Sequence, residues 1–246
     1  AASAVRAATQ SPTLTGRLTS TTNLANVTGA FIPIAQTAVL SEVVMMLNLD
    51  EPAGEVWFDD ATVQSNAAYC EDLAHCPTGG EIGRRDGAVR FDGQSALTVA
   101  HSPAIDFREN ENFTLMAWIK ATGGNYPILM TKYGVEGSYS LGLDEIGQVY
   151  LALNGVEILK SSGGIYNAPW VHVAVSIDRT GERILYLNGV ESDYDPGNSF
   201  TASVANRADM NIGYGLEGLM DDVMIFNRSL KGPEIQAIMA MADQVW

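Results

Sequence analysis

Three groups of residues have the types and spacing to do chemistry. Cys70 and Cys76 are the two cysteines, both within Tyr-Cys-Glu-Asp-Leu-Ala-His-Cys-Pro at 69–77. Five residues between them suit a small disulfide loop, worth roughly 2 kcal/mol through loop entropy. A zinc site would draw on His75, but zinc usually needs four ligands in close pairs, and a second pair is missing. The disulfide is therefore expected, and with it an oxidising compartment. The second group is acidic: Glu191, Asp193 and Asp195 alternate oxygen donors ahead of Gly197, in the manner of a cation loop. Calcium takes six to eight oxygens, and this loop lacks the full spacing of a helix-loop-helix site. A solvated acidic loop is the competing reading. The third group is aromatic. Trp118, Tyr150 and Tyr186, with His172, would stack on sugar rings if they face solvent. Otherwise they fill a layer beneath the N-terminal segment or a C-terminal helix.

Covalent catalysis finds no foothold in the motifs. The chain has no Gly-x-Ser-x-Gly elbow, no His-Glu-x-x-His and no phosphate loop. His101 and His172 have no evident partners along the sequence. The formal net charge is −15, from 29 acidic and 14 basic residues. Such a field repels phosphate backbones, which argues against a nucleic-acid partner. No run of 18 apolar residues exists, so no membrane span is expected. The first residue is Ala rather than Met, which suggests a processed or excised chain.

These residues need elements to hold them, and residues 169–190 set the pattern. Val171, Val173, Val175 and Ile177 alternate with His172, Ala174, Ser176 and Asp178, a period of two that places the branched residues on one face. A turn at 179–182 and Leu185, Leu187 before Asn188-Gly189 complete a hairpin. Further strands are expected at 43–50, 96–100, 112–121, 127–133, 139–143, 148–154, 157–160, 210–214 and 219–226, separated by turn residues at even intervals. That is the pattern of an antiparallel β-sandwich or barrel. Ser138, Ser140 and Gly142, with Tyr150, Ala152 and Asn154, and with His172, Ala174 and Ser176, suggest one sheet with a small, polar, shallow outer face. Residues 233–242 read as a short C-terminal helix with Ile235, Ile238 and Met239 on one face.

Residues 1–43 differ from the rest, being rich in Ala, Thr, Ser and Asn and nearly free of charge. Their apolar patches at 14–18 and 30–35 are too short for a core. The segment is expected to be an extended arm that lies against a sheet edge, of this chain or of another copy.

Phe91-Asp-Gly, Phe113-Thr-Leu-Met-Ala-Trp-Ile-Lys, Trp170-Val-His-Val-Ala-Val, Leu185-Tyr-Leu-Asn-Gly, Asn211-Ile-Gly, and Gly218-Leu-Met-Asp-Asp-Val-Met-Ile-Phe-Asn-Arg-Ser-Leu with Glu234-Ile235 follow one another in a specific order. Together they resemble laminin-G-like, concanavalin-A-like jelly-roll domains of bacterial secreted and cell-surface proteins. The resemblance implies a jelly-roll β-sandwich over residues 44–246. Many such domains carry calcium near a sheet rim, and the matching positions are Asp59 or Asp60, with Asp221 or Asp222. The turn at 61–66, Ala-Thr-Val-Gln-Ser-Asn, departs from the usual Ser-Gly-x-Gly-Asn. Hydrolases of this fold place a Glu-x-Asp-x-Glu or Glu-x-Asp-x-x-Glu run on a strand, with carboxylates about 5–5.5 Å apart for a retaining mechanism. No expected strand here carries that run. The resemblance thus implies a non-enzymatic extracellular or cell-surface module that binds glycan or protein, with calcium as its candidate cofactor. A self-assembling structural subunit that uses residues 1–43 is the alternative, and a glycoside hydrolase the third reading.

Overall fold

The computed structural model describes residues 40–70, 73–197 and 202–241. The patches at 14–18 and 30–35, and the packing expected of the arm, lie outside the described residues.

The described strands form two antiparallel sheets, packed face to face as a sandwich. The first contains, in spatial order, β14 (Val190–Asp195), β13 (Arg183–Leu187), β12 (Val171–Ile177), β7 (Phe113–Gly124), β16 (Leu216–Phe226), β5 (Gly87–Asp92) and β4 (Thr78–Ile82), with β1 (Val43–Leu47) also paired to β16. The second runs β11 (Val156–Gly164), β10 (Gln148–Leu153), β9 (Ser138–Leu143), β8 (Ile128–Tyr133), β15 (Met210–Ile212), β6 (Leu97–Val99), β3 (Ala68–Tyr69) and β2 (Trp57–Phe58). Between them lies one core that includes Leu47, Phe58, Phe91, Phe113, Tyr139, Leu151, Val173 and Ile225. Burying each large apolar side chain contributes about 1.5–3 kcal/mol. The turn after β13 is as the sequence announces. Asn188 and Gly189 both have positive φ, 51° and 72°, the twist that a two-residue hairpin loop requires.

The two sheets differ on their outer faces, and there the sequence reading needs correction. His172, Ala174 and Ser176 belong to the first sheet, while the serines of β9 and Tyr150 of β10 belong to the second. Alternation assigns faces within a strand but does not say which strands share a sheet. The outer face of the first sheet is also covered. Tyr186, Ala174, Met116, Met224 and Met46 form a cross-strand row, and Ile235 and Ile238 of the helix α1 (Gly232–Met241) pack on it. β12 is therefore buried on both faces. Residues 191–195, expected in an acidic loop, form the edge strand β14, because they continue the hairpin ladder from β13.

Candidate functional site

The outer face of the second sheet carries an uninterrupted row of paired residues. Glu157, Ala152, Ser140, Thr131, Asn211, Thr98, Tyr69 and Trp57 stand opposite one another across eight strands. Directly paired residues share a face, and the alternate residues Leu151, Leu141, Met130, Ile212, Val99 and Phe58 point into the core. None of the eight is buried, and Trp57 is 54 % exposed.

At one end of the row the Trp57 and Tyr69 rings stack, with centroids 6.1 Å apart and planes 17° from parallel. The indole is held from behind: Trp57 Nε1 donates to Asp59 Oδ1 at 2.9 Å, and the Asp59 N–H donates to Glu51 Oε1 at 2.9 Å. The Cys70–Cys76 disulfide fastens the same edge. The Cys70 N–H donates to the Val56 carbonyl at 3.0 Å, one residue from the Trp57–Tyr69 pair. In the middle, Thr131 Oγ1 and Ser140 Oγ are hydrogen-bonded at 2.6 Å. Towards the other end Tyr150 lies across β9 above Gly142. A Cβ at 142 would come within 2.7 Å of the Tyr150 hydroxyl and 2.8 Å of the Pro127 carbonyl oxygen, and the backbone contact leaves no room for a larger residue there. Burial raises the Tyr150 phenol above its ordinary range, with Glu157 and Asp144 adding to the effect. Lys160, paired with Tyr150 across the ladder, is ion-paired to Asp144 at 3.0 Å and Glu157 at 3.5 Å.

Of the aromatic and histidine positions named from sequence, only Tyr150 reaches this face. Tyr186 is in the layer beneath α1, the alternative expected for it. Trp118 and His172 are 5 % and 2 % exposed, on the outer side of the first sheet. His172, Trp118 and Asp221 form a cross-strand row there. His172 meets the Trp118 ring edge-on at 5.1 Å, and the Arg84 guanidinium sits 4.8 Å over that ring. Burial, and then the Arg85 charge, push the His172 pKa down to about 3.

The calcium positions are also spoken for. Asp60 accepts four hydrogen bonds from its own neighbourhood: Met46 N and Thr62 N on Oδ1, and Thr62 Oγ1 and Asn66 N on Oδ2. Asp60 thus anchors the turn at 61–66. Asp221 Oδ2 accepts from the N–H groups of Arg84 and Arg85 at 2.7 and 3.0 Å, while Asp222 pairs with Arg85 at 3.2 Å. Asp193 Oδ2 accepts from the Lys160 N–H, and Asp195 pairs with Arg183 at 2.6 Å. Among the described residues, no group of three or more His, Cys, Asp or Glu is placed to hold a metal ion. The positions named from sequence, with these partners, do not assemble a calcium shell of six to eight oxygens among the described residues.

Trp57 and Tyr69 were not legible as site residues. Their strands have two residues each, too short for a period of two to register. The available signals were an aromatic pair at 57–58 and a tyrosine beside a bridged cysteine.

The sandwich, its helix and its order of strands define a lectin-like class. Residues 91–236, more than half of the chain, match the family described as the Concanavalin A-like lectin/glucanases superfamily, Laminin_G_3, and the chain belongs to it. No curated protein matches the sequence. Among solved structures, the chain is similar to the binding domain of Paraclostridial Mosquitocidal Protein 1, with a TM-score of 0.67 and 17% identity over 81% of this chain and 52% of that one. The botulinum neurotoxin serotype G binding domain gives 0.63 and 13% over 81% and 51%. Domain 4 of AbnA, a GH43 extracellular arabinanase from Geobacillus stearothermophilus, solved in complex with arabinotriose, gives 0.63 and 17% over 80% and 98%. The chain thus spans about half the length of the toxin binding domains and nearly all of the arabinanase domain. At these identities the likeness is one of fold. No helix among the described residues is long and apolar enough to cross a membrane.

Proposed function

We propose that this domain is an extracellular glycan-binding module that holds its ligand on the outer face of the second sheet and does not transform it. The observation that carries the reading is the exposed Trp57–Tyr69 stack at the end of a row of small and hydrogen-bonding side chains. Aromatic faces take up the apolar face of a sugar ring, and hydroxyl and amide groups take up its hydroxyls. The indole is fixed by Asp59 before any ligand arrives, which lowers the ordering cost of binding. The arabinotriose complex of the arabinanase domain supports the ligand class, and the disulfide supports an oxidising location. Binding without turnover is supported by the row itself, where Glu157 is the single carboxylate and lies beside Lys160.

Calorimetric titration with a panel of linear polysaccharide fragments tests this. One or more should bind, and Trp57→Ala should weaken that binding at least tenfold with an unchanged unfolding temperature, while Trp57→Phe retains most of it. Binding that survives Trp57→Ala would place the site elsewhere. Absence of binding across the panel would remove the glycan reading.

A further inference from the structure

We infer that the ligand of this face is an uncharged, extended oligosaccharide that runs across the strands from the Trp57–Tyr69 stack to Tyr150. The inference rests on the glycan-binding reading above and narrows its ligand. Geometry supplies the length. From β2 to β10 the row crosses six inter-strand gaps, about 29 Å at a spacing near 4.8 Å. An aromatic ring stands towards each end, and between them the side chains are Thr98, Asn211, Thr131, Ser140 and Ala152. Gly142 lets the Tyr150 ring lie over β9 at that end. A short sugar can engage one aromatic end only. A chain of several units engages both and sets its hydroxyls over the threonine, serine and asparagine groups between.

Charge supplies the class. Sulfated or uronate sugars are held by guanidinium or ammonium groups that can pair with the anion. Among the described residues paired across this face, the cation is Lys160, and it is already ion-paired to Asp144 and Glu157. The chain as a whole carries −15, which repels a polyanion before contact. A neutral chain meets neither obstacle.

The test uses the full chain with trimers and hexamers of neutral arabinan, xylan, β-glucan and galactan, and with heparin hexamers. Affinity for the neutral sugar that binds should rise at least tenfold from trimer to hexamer. Trp57→Ala and Tyr150→Ala should each weaken hexamer binding at least tenfold, whereas only one of them should weaken the trimer. Tyr150→Phe, which keeps the ring over Gly142, guards against a folding defect and should bind like the parent. Heparin should not bind the parent, and the double variant Asp144→Asn, Glu157→Gln, which releases Lys160, should gain measurable affinity for it. Equal trimer and hexamer affinities with a silent Tyr150→Ala, or tight heparin binding by the parent, would overturn this inference and leave the glycan reading standing. Failure of every sugar would overturn both.

Discussion

At Asp221 a buried carboxyl faces outward from β16 beside Trp118, covered by the loop at 83–86, and burial together with the neighbouring Asp222 raises its pKa to about 7. Burial also raises Asp222, to about 6, against the opposing Arg85 charge. For both groups the folded state holds the proton more tightly than the unfolded state. Their contribution to stability is therefore full below about pH 4 and is lost as pH rises through 6 and 7. His172 has the opposite sign. Its neutral form is favoured in the fold, so its contribution is present above about pH 6.5 and is lost as pH falls towards 3. Asp221→Asn separates the two effects, because the amide oxygen still accepts the Arg84 and Arg85 N–H bonds and no charge has to be buried. The variant should be more stable than the parent by about 1–3 kcal/mol at pH 8, with the gap closing by pH 4–5. Urea unfolding at the two pH values checks this, and a variant no more stable at pH 8 would refute the assignment of a strained charge.

Among the elements, the difference between the two outer faces decides where function can reside. The methionine row of the first sheet needs a cover, and α1 provides it through Ile235 and Ile238. The helix is seated against the β13–β14 turn, where a Cβ at Gly189 would approach Gln236 Cγ to 2.8 Å. Ile235→Ala leaves a cavity against that row and should cost about 2–4 kcal/mol, read as a lower urea midpoint. The helix and most long strands were legible in the sequence because their periods, 3.6 and 2, repeat over enough residues to stand out. The polar face of β9 and β10 was legible for the same reason. Three things were not. Alternation could not tell that His172 and Tyr150 lie in different sheets, nor that a helix rather than solvent lies over Ala174. Two-residue strands left no period, so the Trp57–Tyr69 stack stayed hidden. An alternation of acids at 191–195 looked like a cation loop, although the same alternation is what an edge strand with one solvated side shows.

Across the described residues, β16 is the spine, and its pairing makes β1 part of the sandwich. One side of β16 pairs with β7, while the other pairs with β5 through residues 217–220 and with β1 through 223–226. The change of partner falls at Asp221 and Asp222, where the register shifts and Asp222 adopts φ of 49°. Without β1, the second half of β16 would lose its ladder on that side, and Met45 and Leu47, both fully buried, would leave the core. The segment just before β1 is also tied in. The Asn227 N–H donates to the Glu42 carbonyl, and Arg228 pairs with Glu42 at 2.5 Å. Residues 40–43, which precede the boundary at 44 expected from sequence, are thus joined to the sandwich through β16 and the residues after it. A chain of residues 40–246 should unfold in one cooperative transition. A chain of residues 48–246 should show none, because each lost core side chain removes about 2–5 kcal/mol from a total of roughly 5–15. Scanning calorimetry distinguishes the two. A cooperative transition in the shorter chain would mean that β1 is dispensable, and its absence in the longer one would mean that residues 40–246 do not suffice to fold.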